Sequence, residues 1–442
     1  MKRLVIGITI LLVAINFCSG QDSLLIKFQP ISFPYFNIDY QLYKTSFLLS
    51  PCMSQSLNFT TGLYNLSYFL LYKTKPFRQK QFSIKNYLLK IISMDMLNIF
   101  LTYIPGGDSW LHEEFHRSEL TLHKVRSFDQ VYNLPFFSSV IDVNHVSDKD
   151  LIRFKKQAPY DFIRLTEAGI EGEYGLVRNL QKLNFYYNAN YPYFLSELSI
   201  TLNSIFYVWM CHTDIADQET DKFNNKGKYI WQRDFTGLDF TAWVYDLFNP
   251  MEPYTARGIH PSGVGINRYI KPSQLTVDEY NFLKLQGYLQ ILNIVSPFLL
   301  NINQFKVKGK YYNFALRHTL TSFGYDISLD IFTKNEGNFI YSIHLFRNYQ
   351  RFYPGFGLEL FRNKLNSNNY LSISSLFGLQ PQDLHFFTNH AMPVGFLRIE
   401  FEHYFKRFGI FFYISAKNQG WIPYFTYQNP NISFGAGLCY KK

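Results

Sequence analysis

Cysteine is scarce in this chain: four in 442 residues, none in a CxxC pair. That pattern points neither to a cysteine zinc site nor to a disulfide framework. Charge is also thin, at 17%. The net charge of +10 has no Lys/Arg block behind it, so no nucleic-acid partner is expected, and a basic surface points to anionic lipid or acidic carbohydrate. Two apolar stretches fall short of the roughly 20 residues a membrane-spanning helix needs. Leu195–Thr213 is too short in its fully apolar part, and Phe282–Leu300 carries Lys284, Gln286, Gln290, Asn293 and Pro297. Both are expected to be buried helices packed on protein.

Aromatic residues, in contrast, are abundant. Tyr (34), Phe (45) and Trp (5) make up 19% of the chain, more than a soluble core needs and in keeping with the girdles of membrane interfaces. The first residues read as a secretory leader: Lys2-Arg3, an apolar run Leu4–Phe17, then Cys18-Ser19-Gly20. Cleavage is expected after Gly20. Lipidation at Cys18 is the alternative, for which Phe17 is a poor neighbour.

The stretch Gly107–Val125 carries His112-Glu113-Glu114-Phe115-His116, an HExxH pattern. Pro105-Gly106-Gly107 makes a turn, Asp108 or Ser109 can cap a helix, and no Pro or Gly interrupts the run to Val125. Four residues apart on a helix, His112 and His116 can offer two imidazoles to one Zn²⁺. Glu113 can then serve as general base toward a metal-activated water. A chance HExxH arises in roughly one chain of this composition in a hundred; the cap and the unbroken helix favour the functional reading. His123 is too far along a straight helix to join His116, because seven residues rise about 10.5 Å.

A second acidic run, Arg164–Tyr174, reads as helix, although Gly169 and Gly172 weaken it. Glu167 and Glu171 share a face. This arrangement resembles the gluzincins, in which a Glu on a second helix is the third ligand and an acid four residues later orients the first histidine. The resemblance implies Glu167 as ligand, with Glu171 or Glu173 in the orienting place or as the ligand instead. The departure is a Glu where that family has Asp. The long aromatic segment Gly227–Tyr269 suggests a lid or substrate wall, with His260, Tyr254 and Arg257 as oxyanion stabilisers.

Before the HExxH turn, Leu24–Phe28, Asn37–Leu49 and Leu57–Lys73 have strand composition, and Ser83–Tyr103 has helical spacing. The segment after Val125, to Lys149, reads as loop. From about Lys308 the period becomes two. Tyr325, Ile327 and Leu329 alternate with Asp326 and Ser328; Phe339–Leu345, Leu397–Phe401, Ile410–Ile414 and Ile432–Tyr440 continue it. Roughly nine strands fit. An apolar, aromatic face against a small or polar one, ending in Tyr440, resembles an outer-membrane β-barrel. A soluble β-sandwich alternates in the same way.

The expected fold is therefore α+β: a leader (1–20), N-terminal strands that join the barrel (21–76), a helical metallopeptidase region (77–305) and an antiparallel β-barrel-like region (306–442). The expected function is that of an envelope-associated zinc hydrolase, a metallopeptidase with no nucleic-acid partner, in contact with outer-membrane lipid and acting on a peptide or protein. Two rivals stand beside it: a non-enzymatic barrel protein with an accidental HExxH, and a closed structural metal site.

Overall fold

The computed structural model describes residues 25–34, 52–74, 84–129, 142–187, 193–226 and 229–441. The expected leader and the strand expected at Asn37–Leu49 lie outside them. The chain is α+β. Its first element among the described residues is strand β1 (Leu25–Pro34). Helices follow: α1 (Met53–Tyr72), α2 (Ile84–Thr102), α3 (Asp108–Leu122), α4 (Asp148–Gln157), α5 (Pro159–Tyr187), α6 (Phe194–Met210), α7 (Asp214–Lys226), α8 (Asp239–Phe248) and α9 (Val277–Leu289). A two-stranded ribbon, β2 (Phe128–Asp129) and β3 (Val143–Asn144), separates α3 from α4.

Nine strands complete the chain: β4 (Phe305–Val307), β5 (Lys310–Thr321), β6 (Gly324–Lys334), β7 (Asn338–Arg347), β8 (Phe352–Lys364), β9 (Asn369–Pro381), β10 (Ala391–Phe405), β11 (Phe408–Lys417) and β12 (Asn431–Lys441). They form one antiparallel meander, and β1 adds to β12 with Leu25 opposite Lys441. The N-terminal strand thus joins the C-terminal sheet, as its composition suggested. The edges are β1 and β4. Among the described residues the sheet is open, not closed into a barrel.

Two local expectations are corrected. Leu57–Lys73 was expected as strand but lies in α1. Met53, Leu57, Tyr64 and Tyr68 recur at helical spacing and are buried in one core with Trp110, Phe115 and Leu176, so packing overrides the strand preference of its Tyr, Phe and Thr. Phe282–Leu300 was expected as one buried helix. It breaks at Gln290 into two 3-10 turns (Gln290–Ile294 and Pro297–Leu300), and Leu285, Tyr288, Ile291, Ile294 and Val295 are exposed.

The sheet reverses the usual order of polarity. Asp326, Asp330, His344, Glu400 and Glu402 lie buried on the face turned to the helices, while Ile343, Phe377, Phe412 and Ile414 on the other face are each more than half exposed. Helix α5 rests on the polar face. Arg178 reaches Asp330 and Glu359, each at 2.8 Å, Lys182 reaches Glu359 at 2.9 Å, and Arg317 of β5 reaches Asp330 at 2.8 Å. These charges persist away from water because each has an opposite partner in hydrogen-bonding geometry. A cavity of about 270 Å³ remains between α1, α5 and the sheet, lined by Lys27, Asn58, Arg178, Asp330, His344 and Glu400.

Replacing Arg178 by Ala is expected to cost about 3 kcal/mol in urea unfolding, because two buried carboxylates lose a partner. Lys222→Ala, which breaks an exposed pair with Glu219, is expected to cost about 0.5 kcal/mol or less. Equal losses in the two unfolding curves would contradict the role given to the buried network.

Candidate metal centre

Helix α3 starts at Asp108 with Gly107 as its extended N-cap. Asp108 is therefore not the capping residue that was expected. It stands in the first turn, where its carboxylate meets the positive end of the helix and accepts from Thr102 Oγ1 at 3.4 Å. The HExxH residues occupy the middle of this helix, and all five are buried.

Close approach of α5 makes the site. An added Cβ at Gly169 would lie 2.3 Å from His112 Nε2 and 2.5 Å from His116 Nε2, and one at Gly172 would lie 3.0 Å from the Phe115 ring. No side chain fits there. Each glycine costs about 1 kcal/mol of helix propensity, which the packing of α3 against α5 offsets.

Both imidazoles are held from behind. His116 Nδ1 lies 2.6 Å from the Leu165 carbonyl. A carbonyl can only accept, so the proton is on Nδ1 and the lone pair on Nε2. His112 Nδ1 lies 2.8 Å from Glu173 Oε1, and Ser204 Oγ donates to the other oxygen of that carboxylate. The two rings stand at 69° with centroids 4.8 Å apart.

The third group is Asp239, the first residue of α8. Its Oδ2 lies 3.0 Å from His112 Nε2 and 3.5 Å from His116 Nε2. Ligand atoms of His112, His116 and Asp239 all lie within 4.8 Å of one another. Ligands about 2.1 Å from a tetrahedral ion stand about 3.4 Å apart, and the 3.0 and 3.5 Å distances to Asp239 are near that spacing. His116 Nε2 is buried with no hydrogen-bond partner, an orphan that a metal ion would satisfy. The three residues can hold a metal ion and leave a position open.

Burial opposes a charge on His112, but hydrogen bonds to Asp239 and Glu173 outweigh it and hold its pKa well above the ordinary 6.5. Burial would raise Asp239; the imidazoles of His116 and His112 pull it below the usual carboxylate range instead. Without metal, a proton on His112 does part of a cation's work. Glu113 is pushed well up, first by burial, with Asp234, Asp239 and Asp142 adding to the shift and His112 opposing it. Tyr207, half-buried, tilts toward the His112 ring with centroids 6.0 Å apart, and its hydroxyl accepts from the Asp239 N–H at 3.1 Å.

Glu167 does not join the triad, which corrects its expected place as third ligand. It lies 3.4 Å from the buried Arg164 guanidinium, which Glu119 at 3.0 Å and Glu171 at 3.1 Å also surround. Burial first, then the neighbouring Glu171, raises the Glu167 pKa. Three acids on one guanidinium cannot all stay ionised away from water. Glu171 accepts from the Tyr424 N–H. Of the two alternatives, Glu173 is the one that touches a histidine of the triad, and it does so at Nδ1, behind the ring.

The expected oxyanion residues are engaged elsewhere. Arg257 pairs with Asp246 at 2.6 Å and donates to the Arg268 carbonyl; Tyr254 packs under Arg257; His260 turns Nδ1 to Ser262 at 3.0 Å. His123 stacks on Phe154 and faces Asp161 at 3.0 Å. Asp239 lies 239 − 116 = 123 positions after His116. An acid in a first helical turn is ordinary, so no signal in the sequence singles it out.

Comparison of the chain with protein-family models, with curated proteins and with solved structures finds no match.

Metal analysis of purified protein is expected to find one ion per chain in the wild type and in Glu167→Gln, and none in Asp239→Ala. Gly169→Val should lose the ion too, since its side chain would enter the ligand space. Retention by Asp239→Ala with loss in Glu167→Gln would reverse the assignment. The His112 pKa is raised on folding, so its proton stabilises the metal-free protein fully below about 6.5. That contribution is lost as pH rises through the raised folded value. Metal affinity should climb in the same window, about tenfold per pH unit for one displaced proton; titration with a competing chelator at several pH values reads it.

Proposed function

We propose that the protein is an envelope-associated zinc-dependent hydrolase, and that its reaction is the hydrolysis of a peptide bond. The observation that carries this reading is the pair of imidazoles whose Nδ1 atoms are tied to Leu165 and Glu173 while their Nε2 atoms converge on Asp239. Hydrogen bonds behind the rings fix tautomer and ring orientation for metal binding. A His₂Asp set with an open position suits a catalytic ion better than a closed structural one. The likeness to gluzincins then reduces to the HExxH helix, with an aspartate from α8 in place of the expected glutamate.

Zinc held there supplies Lewis acidity, lowering the pKa of a bound water and polarising a carbonyl. Glu113, next to His112 on α3, takes the proton from the attacking water. It then delivers that proton to the leaving amine. Tyr207 keeps its own O–H for the substrate, because its oxygen already accepts from Asp239 N–H, and donates to the developing oxyanion. Glu173 and Ser204 hold His112 in place.

The inverted polarity of the sheet supports a place in the outer membrane, with the apolar face of β6–β12 against lipid and the polar face against the helices. The same inversion would serve a non-enzymatic channel or binding module, which is the second reading. The two readings part at Glu113.

Zinc-loaded protein in detergent is expected to cleave a fluorogenic peptide mixture or labelled casein. Glu113→Gln should keep zinc and lose about 10²–10⁴ in rate. Tyr207→Phe should lose about 10²-fold or more in kcat with little change in KM. Bound zinc with no cleavage in wild type, or undiminished cleavage in Glu113→Gln, would sink the hydrolase reading.

A further inference from the structure

The open sheet leaves two edges, yet the apolar surface does not stop at them. On α2, Leu88, Leu89, Ile92, Met96, Ile99 and Phe100 are exposed, Met96 by 66%. Their spacing of three and four places them along one helix face. The opposite side of α2 is buried: Ile91 and Met94 enter a core with Tyr68 of α1 and Leu195 of α6. Beside β5, Leu285, Tyr288, Ile291 and Ile294 are exposed in α9 and the first 3-10 turn. That segment covers the outer side of β5, where Gln286, Gln290 and Asn293 bind His318.

These elements follow one another around the molecule. β5 meets the 3-10 turns, the turns meet α6, α6 meets α2, and α1 meets β1. Asn98 of α2 fastens the ring, accepting from Tyr68 of α1 at 3.0 Å and from Ser196 of α6 at 2.6 Å. We propose that α2 and the segment 285–295 are lipid-contacting parts of the same wall as the sheet, closing its gap with helices against the acyl chains of a phospholipid bilayer. This rests on the membrane reading of the sheet given above and adds what closes it.

Heights support one slab. Leu88 to Phe100 spans twelve residues, about 18 Å of helix. Leu397 to Phe405 on β10 spans eight residues, about 26 Å along the strand and about 20 Å at a tilt of roughly 40°. Both come close to the ~25 Å apolar band of outer-membrane barrels. Charge on the sheet agrees with acyl chains as its occupant. Outward positions Tyr341–Leu345, Leu397–Phe401, Phe408–Ala416 and Ile432–Tyr440 hold no Asp, Glu, Lys or Arg, while the inward positions between them hold Arg398, Glu400 and others. Among the described residues no single helix is long and apolar enough to cross a membrane alone. Here α2 needs only to add a helix to the wall, since a helix satisfies its own backbone groups.

The test uses full-length protein carrying Cys18→Ser and Cys52→Ser, since Cys211 and Cys439 are buried. Single cysteines at Ile92, Met96 and Ile291 are spin-labelled, with Ile343 and Phe412 as sheet sites and Lys308 as a water-facing site. Each variant is reconstituted in phosphatidylcholine–phosphatidylglycerol vesicles, and collision rates with oxygen and with a nickel chelate are compared. The expected result is high oxygen and low nickel access at Ile92, Met96 and Ile291, as at Ile343 and Phe412, with Lys308 the reverse. Nickel access at the helix sites alone would overturn the inference and leave the membrane reading of the sheet intact. Nickel access at the sheet sites as well would remove both. Protection of the helix sites from both reagents would assign that face to another protein or a second copy, which also overturns it.

Discussion

Everything at the candidate centre depends on how closely α3 and α5 cross. The His112 and His116 rings occupy the space that any side chain at position 169 would fill. Only at that separation can His116 reach the Leu165 carbonyl and His112 reach Glu173. Those two hydrogen bonds orient the rings, and they leave His116 Nε2 without a hydrogen-bond partner, which a cation could supply. Asp239 then answers from a third helix, its own backbone N–H tied to Tyr207.

Helix α5 joins this centre to the rest of the molecule because its faces do different work. One face, at Leu165, Gly169 and Glu173, backs the histidines. A second carries Arg164 with Glu167 and Glu171 into a buried ion cluster with Glu119. Further along, Arg178 and Lys182 tie it to Asp330 and Glu359 on the sheet. A sheet with its charges inside needs such a partner. An apolar helix face laid on Asp330 and Glu359 would leave ions buried without counterions, at a cost of several kcal/mol each.

Much of the architecture was legible in the chain. The nine C-terminal strands, the N-terminal strand that joins them and the helices around His112 and Arg164 follow from period and composition, because side chains on a strand alternate and those on a helix return every three to four residues. Leu57–Lys73 misled for a local reason: its aromatic and threonine content favours strands, while the contacts that make it a helix lie in distant elements. Gly169 and Gly172 were read as defects of a helix. In three dimensions they are what lets the histidines in, and a single sequence gives no means to tell a weak helix from a closely packed one.

The sequence by itself determined that two histidines share one helix face, with a glutamate beside the first. Four-residue spacing on an uninterrupted helix puts His112 and His116 on one face, and no later folding step can part them. It also determined which side of each strand is apolar. Tertiary structure alone decided the third ligand, because Asp239 and Glu167 are both acids on helices and only the packing of α8 and α5 sets which one turns a carboxylate toward the imidazoles. It alone decided that the sheet stays open among the described residues, with β1 and β4 at its edges. Alternation specifies faces, but strand number, tilt and the neighbours of the edge strands specify closure.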